Sequence, residues 1–199
     1  MIQLSDQEIA NERLILNSPT ELYYLGHDLT LRKCTVVLRV PARALVIART
    51  RFIDCTIEAK RQLTNFRWEG AHLRGCRFKG RFNGNDFGSG PDSPAKGSIE
   101  DCDFSEAHLD ATRFLNCDIR TLRFPPWPCF TIFDPVRRAR ELRQLPWPER
   151  VGRIEVECFA QAPPSTVALT QSATDLAKRR GTTLEAIKAV LEKLDGVYY

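Results

Sequence analysis

Large apolar residues recur along the chain at two nested intervals. Leu31, Phe52 and Leu73 are 21 residues apart, and Leu29, Thr50 and Ala71 stand two places ahead of them. Cys34, Cys55 and Cys76 keep the same interval of 21, with Val36, Ile57 and Phe78 two places later. A shorter beat takes over downstream: Ile99, Phe104, Leu109, Phe114, Ile119 and Phe124 fall every fifth residue, and Gly97, Cys102, Ala107, Thr112 and Cys117 each precede one of them by two. Such spacing fits neither a helical turn of about 3.6 residues nor the sustained alternation of a long strand. It suits a chain that takes a short extended step, turns a corner and repeats, with the centre of each step pointing inward beside a small residue. Four steps close a rung of about 20 residues, and a period of that size marks a stacked solenoid.

The runs Ala71-His72-Leu73, Cys76-Arg77-Phe78, Cys102-Asp103-Phe104, Ala107-His108-Leu109 and Cys117-Asp118-Ile119 resemble the pentapeptide-repeat family, whose members form a right-handed quadrilateral β-helix. The resemblance covers residues 28–124 and departs from the family pattern in places. Rungs of 21 carry one residue more than four strict repeats, which implies a corner bulge. Pro41, Gln62 and Asn83 stand where a strict register calls for a core apolar residue, and the step from Cys76 to Cys102 is 26. The segment Gly88-Ser89-Gly90-Pro91-Asp92-Ser93-Pro94 absorbs that difference as an exposed loop over 88–95. Cys102 then continues the ladder of Cys34, Cys55 and Cys76. The expected fold is mainly β: a short β-helix of about 21 residues per rung, right-handed by the resemblance, with an α-helical C-terminal appendage.

An open terminal rung exposes core and unpaired edge groups. Residues 1–27 are read as the cap of the first end, with Arg13-Leu14-Ile15-Leu16 as a strand and Leu22, Tyr23, Tyr24 and Leu25 covering the first rung. Phe124-Pro125-Pro126-Trp127-Pro128 stops the ladder, because proline cannot donate to it. Region 125–199 turns mainly helical. Asp134-Pro135, an N-cap with proline at the first helical position, introduces a helix over Val136 to Gln144. Ile154, Val156 and Cys158 alternate with Glu155 and Glu157 as a short strand. Thr170 to Leu194 reads as two helices around Gly181, the second capped by Thr182 or Thr183. Ala177, Gly181 and Ile187 have helix-turn-helix offsets, and Lys178-Arg179-Arg180 adds basic charge. Against that motif, Arg180 and Thr182 replace its apolar packing, and Glu185, Glu192 and Asp195 offset the second helix's lysines. A hairpin that caps the rod or meets a partner is the reading adopted.

Charge divides along the solenoid although the net formal charge is only +4. Basic residues dominate from Arg49 to Arg81, acidic ones from Ile99 to Asp118. Charge fields steer association, so Arg67, Arg74, Arg77, Lys79, Arg81, Asp101, Asp103, Glu106 and Asp110 are the candidate partner-binding residues. No Cys-x-x-Cys pair, zinc-type spacing or phosphate loop occurs, and His27, His72 and His108 lie far apart. The expectation is a protein that is not an enzyme, with no catalytic residue, cofactor or metal. Its seven cysteines are read as reduced, buried small hydrophobes. No signal region or membrane-spanning run is evident, which points to a cytoplasmic protein away from membranes.

The resemblance implies a range of roles, from DNA mimics that protect type II topoisomerases to toxin-neutralising immunity proteins. Mimicry calls for a strongly acidic rod, which a positive net charge opposes. The expected function is a non-catalytic protein-binding module of immunity or adaptor type that occludes or neutralises a protein partner, a toxin or an enzyme under inhibition. Nucleic-acid binding through the basic rungs or the terminal hairpin is the alternative.

Overall fold

The structure, a computed structural model, describes residues 1–91 and 93–199. It is mainly β, with 42% strand and 20% helix, and its body is a parallel β-solenoid of about five turns spaced about 22 residues apart. The first turn holds β1 (Ile2–Leu4), β2 (Glu8–Ala10) and β3 (Arg13–Leu16), and the second β4 (Tyr23–Gly26), β5 (Thr30–Arg32) and β6 (Thr35–Leu38). Then follow β7 (Leu45–Ala48), β8 (Thr50–Ile53), β9 (Thr56–Thr64), β10 (Ala71–Arg74), β11 (Arg77–Asn83), β12 (Asp86–Gly88), β13 (Ser98–Glu100), β14 (Asp103–Asp110) and β15 (Thr112–Leu115). Three walls stack as β1-β4-β7, β2-β5-β8-β10-β13 and β3-β6-β9-β11-β14.

The repeat seen in the sequence is the register of these walls. Ile9, Leu31, Phe52, Leu73 and Ile99 form one inward column, and Leu14, Val36, Ile57 and Phe78 another. The corner between the second and third walls keeps the five-residue spacing in every turn, and added residues enter elsewhere, as between Ala59 and Leu63 of β9, where the register against β11 shifts. Asn11, Lys33, Asp54, Gly75 and Asp101 all adopt the left-handed conformation between the second and third walls, with φ between 52° and 64°. Asp, Asn and Gly tolerate that conformation best. Cys34, Cys55, Cys76 and Cys102 come directly after it and are buried. Three of the thiols donate to carbonyls of the preceding turn: Cys34 to Ile9 at 3.3 Å, Cys55 to Leu31 at 3.2 Å and Cys76 to Phe52 at 3.3 Å. All seven cysteines are unpaired. Burial pushes the Cys55 thiol up to about 12. The Cys76 thiol is raised too, by its hydrogen bond with Cys102 and then by burial.

The irregular positions have simple outcomes. Leu63 and Phe82 take the core slots beside Gln62 and Asn83, and Pro41 opens a short 3-10 turn, Ala42–Ala44. The loop after β12 is tied at Ser89, which donates to the Gly97 carbonyl at 2.9 Å, and at Ser93, which donates to Glu69 at 3.1 Å. Asp92, part of the expected 88–95 loop, lies outside the described residues.

Two expectations about the ends are corrected. Residues 1–27 are no cap: they wind as the first turn and enter the second, so β1, β2 and β3 are the free edges of their sheets. The far end is closed by strands as well as helices. β16 (Cys129–Phe133) and β17 (Thr166–Ser172) run antiparallel, β17 pairs with β15, and β18 (Val197–Tyr198) pairs with β16. Thr170 to Ser172 therefore belong to a strand and not to a helix; the segment is buried on nearly every side chain, so it carries no alternation to read.

The helices are shorter than expected at one place and present where a strand was expected at another. Asp134 takes a positive φ of 48°, which holds 134–138 in turns, and α1 spans only Ala139–Gln144. The alternation at 154–158 falls in π-type turns, Val151–Val156, leading into α2 (Glu157–Ala160). Burying Val151, Glu155, Val156 and Phe159 on one side selects helical spacing there. α3 (Ala173–Arg180) and α4 (Leu184–Leu191) flank Gly181, whose φ of 66° ends α3, and the Thr183 hydroxyl caps α4. They share a second core with Phe130, Ile132, Leu142, Trp147 and Phe159.

Candidate functional site

In a parallel solenoid, positions 21 to 27 apart in sequence become neighbours on the outer wall, and this rearranges the charge split. Arg74 lies beside Glu100 at 3.3 Å, Lys79 beside Glu106 at 2.8 Å, and Arg77 at 4.0 Å from both Asp103 and Glu106. The basic and acidic stretches thus pair turn to turn, and the wall is mixed in charge instead of bipolar.

Two candidates, Asp110 and Arg81, do other work. Asp110 is 1% exposed and therefore faces no partner; it accepts from the Asn83 amide at 3.1 Å, from the Ser172 backbone N–H at 3.2 Å and from the Arg179 guanidinium. Arg81 reaches Asp175 on α3 at 3.2 Å, and His108 Nε2 lies 2.6 Å from the same carboxylate. Burial raises the Asp175 carboxyl, but His108 and Arg81 outweigh that and hold it below the usual range. Arg180 pairs with buried Glu155 at 2.7 Å. Two of the three basic residues that suggested DNA binding are thereby spent on joining the hairpin to the rest of the molecule.

Arg77, Asp101 and Asp103 do converge. They line an open trench of about 640 Å³ with Asp54, Thr56, Gly75, Arg120 and Arg123. The left-handed corner stacks Asp54, Gly75 and Asp101 along its length, and each turn then enters the third wall with Thr56, Arg77 or Asp103 two residues later. The last part-turn supplies the remaining side. Arg120 is anchored by two bonds to Asp118, at 2.9 and 2.7 Å, which bring the Asp118 carboxyl down to about 2. Burial raises Asp103, but hydrogen bonds from Ser105 and the charges of Arg77 and Arg123 leave it lowered, so it is ionised at neutral pH. Arg120 and Arg123 escaped the sequence reading; they are outward positions of the final five-residue step, Ile119 to Phe124, and that was the available signal.

Arg67 lies elsewhere, in a cleft of about 620 Å³ with Glu69, Asp86, Arg113 and prolines 91, 94, 163 and 164. Arg113 binds Asp86 there through two bonds of 2.7 and 2.8 Å.

Among the described residues no group of three or more His, Cys, Asp or Glu is placed to hold a metal ion, and no helix is long and apolar enough to cross a membrane. No protein-family model matches the chain, and comparison with curated proteins and with solved structures gives no match either.

Proposed function

We propose that this chain is a non-catalytic protein-binding module of immunity or adaptor type that occludes one protein partner at the mixed-charge trench. The observation that carries the reading is the trench itself, where Arg77, Arg120 and Arg123 share the lining with Asp54, Asp101 and Asp103 along a wall fixed by backbone ladders. A preformed surface loses little entropy on binding. A lining of both signs suits a protein surface that carries both signs and resists a uniformly anionic polymer. The five-residue beat from Ile99 to Phe124, inward throughout, supports a right-handed pentapeptide-repeat solenoid, and seven unpaired cysteines fit a reducing, cytoplasmic setting.

Affinity capture tests the reading, with tagged wild type and an Asp101→Lys/Arg120→Glu variant, nuclease treatment, and washes at low and moderate salt. One protein recovered in near-equal amount by the wild type and lost by the variant supports it. Nuclease-sensitive recovery that fades steeply with salt replaces it with nucleic-acid binding.

A further inference from the structure

The two ends of the solenoid differ. At the far end Cys117 and Ile119 pack on the core, Leu122 and Phe124 are buried in it, and the β15–β18 sheet continues beyond. At the near end β1, β2 and β3 are edge strands, Leu4, Ile9 and Leu14 are only half-buried, and Ile2 and Ile15 are 38% and 45% exposed. The rim is acidic on balance, with Asp6, Glu8 and Glu12 exposed against Arg13.

The backbone groups on this edge follow from the bonds already made. Ile2 N–H donates to Leu22, and Asn11 N–H to Arg32; the carbonyls of Gln7, Glu12 and Leu16 accept from Thr30, Thr35 and Arg39. Successive residues of a strand direct their N–H and C=O to opposite edges. Gln3, Glu8, Ala10, Arg13 and Ile15 are therefore left facing outward along the solenoid axis, unpaired.

We propose that a second copy of this chain docks on the open end, head to head about a two-fold axis that passes through Ile9. The axis runs strands of the two copies antiparallel, β2 against β2 and β1 against β3. Glu8 then stands opposite Ala10 of the other copy, and Gln3 opposite Ile15, so residues with free backbone groups exchange both bonds. On the inner face Ile9 meets its own copy, Leu4 meets Leu14 and Ile2 meets Leu16. Every inward residue finds an apolar partner, and Glu8 avoids its counterpart. Only an occupant with three short strands at the same corner spacing satisfies all three edges, and the first turn itself has that shape. Since the far end is closed, the contact is isologous and stops at two copies instead of forming a fibre.

Sedimentation equilibrium of the full chain reads the association directly. A monomer–dimer equilibrium is expected that tightens as salt screens the acidic rims; a monomer at every concentration and salt overturns the proposal, and so does association that weakens with salt or passes beyond the dimer. Ala10 is exposed, so Ala10→Lys, facing Glu8 of the other copy, should tighten the dimer by about fivefold and Ala10→Glu should weaken it by a similar factor, through two symmetric cross-strand pairs. In a Cys158→Ser background, Ile9→Cys should give a covalent dimer on mild oxidation, because a directly opposed non-hydrogen-bonded pair has Cα atoms about 4.5 Å apart, within disulfide range. Ala10→Cys, diagonal to its own copy, should link far less. Equal linking by the two, or none by Ile9→Cys, overturns the register.

Discussion

The early and late turns of the solenoid share a backbone plan and differ in what fills it. The first two turns are filled mainly by aliphatic side chains, among them Leu14, Leu16, Leu25, Leu31, Val36 and Leu38. The later turns hold Trp68, Phe78, Phe82, Phe87, Phe104, Phe114 and Phe124, with Phe78 stacked on Phe104 at 4.5 Å, Trp68 on Phe87 at 5.3 Å and Phe87 on Phe114 at 5.4 Å. The third wall accounts for the change. β3 and β6 have four residues each and give way to the irregular segments 17–22 and 39–44, whereas β9, β11 and β14 run nine, seven and eight residues and continue around the corner. A fourth extended side encloses more volume, and close packing requires larger side chains to fill it. The side chains therefore report the cross-section turn by turn.

The strongest way to break this comparison is truncation in matched columns. Phe104→Ala removes a ring packed against Phe78, Phe87 and Phe114 and should destabilise by about 3–5 kcal/mol, whereas Val36→Ala should cost about 2 kcal/mol. Urea denaturation measures both. Equal losses would mean that the late core is loosely packed and its aromatic character incidental.

The late turns also carry the docking of the helical unit, and Asp110→Ala sharpens that difference. It leaves Arg179, Asn83 and the Ser172 N–H without their common acceptor, and a loss of about 2–3 kcal/mol is expected, below a fully buried pair because Arg179 keeps contact with water. Hydrogen exchange should show the loss concentrated in α3 and β17. Uniform weakening would show that the hairpin and the solenoid unfold as one unit.

Much of this architecture was legible in the sequence, and what was not has a physical cause. Leu31, Phe52 and Leu73 announce their wall because each turn repeats the same inward slot, and Cys102 could be placed under Cys76 once the loop was set aside. β17 was missed because Thr166 to Ser172 is buried on both faces and shows no period. The site was less readable than the fold. A linear count of charge separated Arg74, Arg77 and Lys79 from Glu100, Asp103 and Glu106, yet stacking brings them side by side. Asp110 looked like one more surface acid, although its neighbours across 60 or more residues bury it.

The thiol ladder spans both halves and gives a pH test of intermediate size. Folding raises the Cys55 thiol to about 12 and raises Cys76 as well. A group whose pKa is higher folded than unfolded stabilises the fold fully below its unfolded value, near 8.5 for cysteine, and that contribution is lost as pH rises through the folded value. Stability should therefore decline from about pH 8.5 upward, and Cys55→Ala should flatten the decline while lowering stability at neutral pH. Asp175, held low by His108 and Arg81, acts at the other extreme: its contribution is complete above the unfolded carboxylate value, near 3.9, and disappears as pH falls through the lower folded value. An alkaline slope unchanged by removal of Cys55 would place the titrating groups elsewhere.

The smallest effect belongs to the outer wall, where early and late turns should behave alike. Arg74 and Glu100 are 69% and 56% exposed, and Arg32 and Glu8 on the early turns are 43% and 56% exposed. Exposed pairs of this kind contribute about 0–1 kcal/mol, because water and salt screen them and holding two long side chains together costs entropy. Arg74→Glu should accordingly leave the unfolding midpoint nearly unchanged in moderate salt, with the small loss recovered when Glu100→Arg is added. A double-mutant cycle at two salt concentrations measures it. If Arg74→Glu instead costs as much as Asp110→Ala, the turn-to-turn pairs hold the rod together as firmly as its core, and the wall could not exchange these contacts for those of a partner in the adjoining trench.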